Sequence, residues 1–153
     1  MPPRAPRVLA FQAVLVADSP LAPKPSGPVT RTIAIREDQT LEQLHEAFRL
    51  AFGWADPHLY TFWVGSEFWS REAARYSAPF ELAEDDLSTR VPIAETGIRR
   101  GSTLAYVFDY GDEWRLLVKV VDAWEPDDES YPMLVEAEGV APPQYLELDE
   151  GDA

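Results

Sequence analysis

The sequence predicts an α+β domain, a mostly antiparallel sheet packed against one main helix at about residues 40–52. Three observations carry that expectation. Apolar residues recur two apart in several short runs, the period of a strand with one buried face. One segment recurs at helical spacing behind a complete capping signal. The length, 153 residues, is one domain's worth and lets folding bury roughly 70% of the unfolded chain's surface without covalent staples.

Arg7 to Ala17 is apolar and β-prone (Val8, Leu9, Phe11, Val14, Leu15, Val16), with Gln12 its strongly polar interior residue, and reads as a buried strand. The next segment, 18–28, carries Pro20, Pro23, Pro25 and Pro28 with Ser26 and Gly27. Prolines at that density exclude regular structure, so it is a long Pro-rich loop. Val29 to Arg36 alternates and forms a second strand, antiparallel to the first.

Thr40, Leu41, Glu42 and Gln43 match a capping box, in which the Thr40 hydroxyl accepts from the third helical amide and Gln43 reaches back. Leu41, Leu44, Phe48 and Phe52 then recur along one stripe, with Ala47 and Ala51 beside it, and Gly53 stops the helix. His45 flanks the stripe as a boundary residue. Residues 54–58 form a turn, with Pro57 holding Asp56 extended. Leu59 to Val64 alternates, and Gly65-Ser66 is expected to turn it into Glu67-Phe68-Trp69, giving a strand region over 59–69. Residues 70–86 lose the pattern and read as an irregular or weakly helical excursion, and 91–96 as one helical turn.

The central hairpin spans 103–122, with strands at 103–109 and 114–122. Leu104, Tyr106 and Phe108 fall on one parity before the turn, and Trp114, Leu116, Val118 and Val120 after it. Gly111 is expected to make the reversal in positive φ. Beyond it come an acidic loop, a short β-like run at 131–137 and an acidic tail at 146–153. The expected organisation is a single domain over 1–153 with its core at about 7–145, without repeats or linkers.

Acidic residues outnumber basic ones 27 to 13, for a formal net charge of −14. The excess is uneven: residues 1–37 carry +3 and residues 109–153 carry −12. Phosphate backbones are bound by neutralising them, so direct nucleic-acid binding is disfavoured. There is no cysteine, which excludes disulfides and thiolate metal sites and suits a reducing cytoplasmic setting. Gln12 and Asp18 interrupt the first apolar run, and neither a signal peptide nor a membrane span is expected.

Candidate chemistry concentrates at the hairpin tip. Asp109, Asp112 and Glu113 place three carboxylates within five residues, the hard oxygen donors that a divalent cation takes, although the spacing matches no calcium loop. The alternatives are a partner-binding tip, or a turn whose Asp109 and Asp112 accept from backbone amides while Glu113 is solvated. His58 with Asp109 or Asp112 is the candidate catalytic pair, because a carboxylate would orient the ring and raise its pKa. Trp54, His58, Trp63, Tyr110, Trp114 and Arg115 are candidate binding residues, with Trp54, His58, Trp63 and Trp114 expected to converge on one pocket. No phosphate-gripping glycine loop, His-Glu-x-x-His or Gly-x-Ser-x-Gly motif is present, and no cofactor is expected.

The order of these pieces carries a resemblance. Thr40-Leu41, Leu44-His45, Ala47-Phe48 and Ala51-Phe52-Gly53-Trp54 are followed by His58-Leu59-Tyr60 and Phe62, then by Tyr106, Phe108-Asp109-Tyr110-Gly111-Asp112 and Trp114. Tyr131-Pro132 and Glu138-Gly139-Val140-Ala141-Pro142-Pro143 complete the set. In that order they resemble the plasmid pRiA4b ORF-3-like family over about residues 7–145. The resemblance implies a compact α+β domain of the kind carried by plasmids and other mobile elements, with no reaction attached to it. Where family members commonly carry a His two residues after the hairpin Trp, this chain has Leu116; where they carry Cys-Pro-Pro-Glu-Asp-Cys, it has Ala141-Pro142-Pro143-Gln144-Tyr145. Those departures lower the enzymatic reading.

The resulting expectation is a non-catalytic cytoplasmic binding or accessory domain for a protein or small-molecule partner. One alternative is a metal-dependent hydrolase or nuclease-like enzyme using Asp109, Asp112, Glu113 and His58. Another is an acidic protein that mimics nucleic acid or holds a basic partner through residues 122–129 and 147–152.

Overall fold

The computed structural model describes residues 5–19, 21–80 and 82–145; the acidic tail at 146–153 lies outside the described residues. Eight strands form one sheet: β1 (Val8–Leu15), β2 (Thr30–Arg36), β3 (Tyr60–Val64), β4 (Arg75–Ser77), β5 (Leu87–Ser88), β6 (Thr103–Phe108), β7 (Trp114–Trp124) and β8 (Met133–Glu138). Their order across the sheet is β5-β4-β3-β6-β7-β1-β2-β8. The helix α1 spans Leu41–Phe52. A short 3₁₀ turn occupies Ile93–Glu95.

This architecture corrects the expected fold class. The domain is mostly β, a mixed sheet with one helix laid on it, and not a balanced α+β arrangement. Two causes account for the difference. The stretch read as irregular contributes β4, the next residues contribute β5, and the run read as merely β-like becomes β8. In addition β4 and β5 pair in parallel, so the sheet is mixed.

Alternation places the side chains. On one face Phe11, Ile33, Phe62, Tyr106, Phe108, Trp114 and Leu116 pack against Leu41, Leu44, Phe48 and Phe52 of α1, all nearly inaccessible to solvent. The opposite face carries Trp63, Ala105 and Val107, covered by Phe68 and Ala73 from the excursion after β3. That excursion is therefore a cover, and β3 pairs with β4, not with residues 67–69 as expected. The capping box forms as expected, with Gln43 N–H donating to Thr40 Oγ1 (3.1 Å) and Thr40 N–H to Gln43 Oε1 (2.9 Å). Gly53 closes the helix in the left-handed region at φ 79°.

His45 is buried, not a boundary residue. Its Nδ1 lies 2.8 Å from the Tyr106 hydroxyl and its ring stacks 3.4 Å from Tyr60, nearly parallel. Burial, with a smaller contribution from the Arg49 cation, lowers its pKa from 6.5 to about 3.

Arg31 is a second residue whose role the strand pattern conceals. It is almost fully buried and lies over the Phe52 ring, where its guanidinium donates to the carbonyls of Ala51 (3.1 Å), Thr30 (2.7 Å), Glu138 (2.8 Å) and Gly139 (3.1 Å). One side chain thus fastens the end of α1 and the end of β8 to β2. Gly139 follows β8 at φ 79°, and a Cβ there would meet the Pro28 carbonyl oxygen at 1.9 Å. Only glycine fits between these backbones.

Candidate functional site

The hairpin tip turns by a different device from the one expected. Gly111 is not in positive φ; Asp109 (φ 66°) and Glu113 (φ 56°) are. Asp109 tolerates that conformation because its own carboxylate caps the turn, accepting from the amides of Gly111 (3.0 Å) and Asp112 (3.3 Å). Asp112 makes no matching side-chain bond to a turn amide among the described residues. Its backbone carbonyl accepts from the Ser19 hydroxyl at 2.9 Å. Burial and the neighbouring Asp109 push the Asp112 pKa up.

Glu113 faces elsewhere. Its Oε1 accepts from the Trp69 indole (2.8 Å) and from Arg115 (3.0 Å), and these donors outweigh its partial burial to hold the carboxylate below its ordinary pKa. Asp109, by contrast, lies 3.5 Å from His58 Nε2 on the helix-side corner. The three carboxylates therefore do not converge, and no group of three His, Asp or Glu side chains placed to hold a metal occurs among the described residues.

His58 stands edge-on to Phe108, with Nε2 2.7 Å from the Tyr145 hydroxyl. Gln144 doubles this attachment: its side chain accepts from Asp56 N–H (3.0 Å) and donates to Asp56 C=O (3.0 Å). The corner pins the segment after Pro143 to the turn after α1. Partial burial and the carboxylates of Asp56 and Asp109 push the Tyr145 pKa up.

The candidate tryptophans do not meet in one pocket, which corrects the expected convergence. Trp54 and Trp114 lie in the core, Trp54 stacked 4.8 Å from Phe108 and tilted against Trp114 at 5.4 Å. Trp63 projects from the other face of the sheet, where it meets Trp69 at 5.0 Å. The alternation of β3 requires this, because Tyr60 and Phe62 already face the helix. Tyr110 also folds onto that outer face, its hydroxyl 2.6 Å from Thr61 Oγ1, and Thr61 continues to Ser77 at 2.8 Å. Trp63, Trp69, Arg71, the Arg75–Asp86 ion pair and Tyr110 line a cavity of about 210 Å³ there. Arg115 lies on the same face, over Phe68 at 5.5 Å and 3.6 Å from Asp18.

A larger depression lies elsewhere. A groove of about 530 Å³ runs between α1 and β8, floored by Ile33, Ala47, Ala51 and Met133 and edged by Leu50, Leu134, Glu42 and Glu46. Leu50 is 80% exposed, although it sits in the last turn of a well-capped helix. It lies off the buried stripe, and a large apolar residue on the polar side of an amphipathic helix is the sequence signal that could have located this surface. β8 is the outermost strand beside β2, and Leu134 and Val135 are half exposed on it.

These features define a mixed eight-stranded sheet with one helix and an open groove at the helix-bearing edge. The fold is similar to the crystal structure of a protein of unknown function, MM3350, from Methanosarcina mazei Go1, with a TM-score of 0.72 at 18% identity, covering 91% of this chain and 73% of that one. The description "Plasmid pRiA4b ORF-3-like protein" belongs to the family profile that matches residues 23–147, and the chain belongs to this family. A curated relative, the uncharacterized protein y4hQ of Sinorhizobium fredii (strain NBRC 101917 / NGR234), is 27% identical over 121 residues; the match takes in 76% of this chain and 58% of the relative. Among the described residues no helix is long and apolar enough to cross a membrane.

Proposed function

We propose that this protein is a non-catalytic binding domain whose working surface is the groove between α1 and β8. The observation that carries the reading is the unfilled apolar groove of about 530 Å³ beside an open strand, a size and lining that suit a ligand. At the hairpin tip, by contrast, Asp109 and Glu113 are engaged with neighbours inside the fold. The lack of cysteine suits a cytoplasmic setting, and the charge of −14 disfavours nucleic acid as the partner.

The test is amide chemical-shift mapping of the full chain against a library of small apolar and peptide fragments. Hits are expected to move the amides of residues 42–51 and 132–134. Hits that cluster on the outer-face cavity or on the His58 corner, leaving the groove silent, would move the binding site there.

A second reading rests on the contact of 3.5 Å between His58 and Asp109. In it, His58 and Asp109 would serve a divalent ion in hydrolysis, without Glu113, which is turned toward Trp69 and Arg115. Calorimetric titration with Mg²⁺ and Mn²⁺ separates the two readings. Metal binding at millimolar concentration that Asp109→Asn abolishes would favour the enzyme, and its absence the binding domain.

A further inference from the structure

We infer that the groove and the β8 edge together take an extended segment of another protein, apolar at alternate positions and bearing lysine or arginine between them, which adds to the sheet as a ninth strand. The inference rests on the groove being the working surface and goes on to name its occupant.

Three features of the edge lead to it. β8 pairs with β2 through Glu138, Ala137, Glu136, Leu134 and Met133, and among the described residues its other side faces no strand. A strand laid along that side would sit about 4.8 Å further out and find unpaired backbone groups. Its alternate side chains would fall on the helix-bearing face, the face of Ile33 and the groove. An apolar residue there meets Leu134 and Leu50, and the groove has room for more than one such side chain.

Charge selects the occupant. Glu42 and Glu46 edge the groove from the helix, and Glu136 and Glu138 are exposed along β8. Among the described residues no lysine or arginine lines the groove. A second copy of this chain, joined edge to edge through β8, would bring Glu136 and Glu138 against their own counterparts, between molecules each carrying −14. A basic strand gains from the same carboxylates, and association steered by them weakens with salt. The opposite end of the sheet offers no equivalent, because β5 has two residues.

The edge also carries protections that limit its partners. A register irregularity lies between Thr32 and Ile33, and the glutamates on β8 discourage indiscriminate pairing of like chains. Both features leave a matched basic strand admissible.

The experiment selects binders to the immobilised full chain from a displayed library of random nine-residue peptides, and counter-selects against the Leu50→Glu variant. Enriched sequences are expected to alternate apolar residues with lysine or arginine, and to lose at least tenfold in affinity between low and high salt. Two N-methylated versions of one selected peptide, blocked on opposite backbone edges, then probe the pairing. One version is expected to lose at least tenfold in affinity and the other to bind as the parent does. Enriched peptides that are acidic or without alternation, or equal binding by both methylated versions, would overturn the added strand while leaving the groove as the binding surface. Equal enrichment on the parent and on Leu50→Glu would overturn the groove reading itself. A concentration-dependent dimer joined through β8 would overturn the choice of occupant.

Discussion

The hairpin tip at 109–113 and the groove beside β8 make opposite use of the chain. The tip holds three carboxylates, an aromatic ring and a glycine within five residues, the composition that suggests chemistry. Its carboxylates at 109 and 113 are nonetheless occupied by turn amides, an indole and a guanidinium, and its Tyr110 is tied to the sheet. The groove is assembled from Leu50, Met133 and Leu134, residues of no chemical distinction, and nothing in the described chain fills it. The contrast teaches that reactive-looking side chains clustered at a turn can be taken up in holding that turn and its neighbours in place. Free surface arises where two distant elements come side by side without completing a core.

Changes at the tip should therefore cost stability, and changes at the groove should cost binding. The largest effect belongs to Trp114, which is 1% exposed and packed against Trp54. Trp114→Ala should destabilise by about 3–5 kcal/mol in chemical denaturation. A loss under about 1 kcal/mol would show that the tip is not anchored as described.

Gly139 comes next. Gly139→Ala places a methyl against the Pro28 carbonyl and strains a positive φ, and it should destabilise by about 2–4 kcal/mol. Because that backbone positions β8, the same variant should increase amide exchange across residues 133–138 before the rest of the sheet.

A pH effect of intermediate size is expected from His45. Its folded pKa of about 3 lies below the ordinary 6.5, so the unfolded chain binds the proton first. The stability owed to keeping His45 neutral is complete above about pH 6.5 and is lost as the pH falls toward 3. Denaturation midpoints measured from pH 7 to pH 4 should fall, and His45→Gln should flatten that slope. An unchanged slope would place the acid sensitivity elsewhere.

Asp109 gives a smaller and more selective result. Asp109→Asn keeps an acceptor for the turn amides and a residue that tolerates positive φ, so it should cost under about 1 kcal/mol. Asp109→Ala loses both and should cost about 1–3 kcal/mol. Equal losses in the two variants would mean that charge, through His58, matters more than the turn. The smallest stability effect is expected at Leu50, where Leu50→Glu should shift stability by no more than about 0.5 kcal/mol, since the side chain is 80% exposed.

Much of the fold is legible in the sequence where local signals agree with one another. The capping box and the helical recurrence place α1 to within a residue, an apolar β-prone run places β1, and alternation places β2, β3, β6 and β7. β4 and β5 were hidden because two or three residues cannot show a period of two. β8 read only as β-like because an edge strand exposes most of its residues, and burial cannot alternate along it. These three strands turn the expected α+β domain into a mostly β one.

The site was less legible than the fold, for a related reason. His58 and Asp109 do approach one another, as their residue types suggest, but Tyr145 enters the same corner from 87 residues away. Trp54 and Trp63 seemed equivalent as aromatics, but Trp54 enters the helix-side core from the turn after α1, whereas strand parity puts Trp63 on the opposite face. Leu50 and Leu134 become neighbours only when α1 crosses β2 to reach β8, a relation that no local pattern encodes. Arg31 shares the parity of Val29, Ile33 and Ile35 in an alternating strand, and that pattern gives no sign of the four carbonyls that gather around it.

The most direct measurement is amide chemical-shift mapping of the full chain titrated with a selected basic alternating peptide. The account predicts saturable shifts confined to residues 42–51 and 132–138, with residues 108–114 unmoved. Shifts centred on Asp109, Tyr110 and Glu113, with α1 and β8 silent, would contradict it.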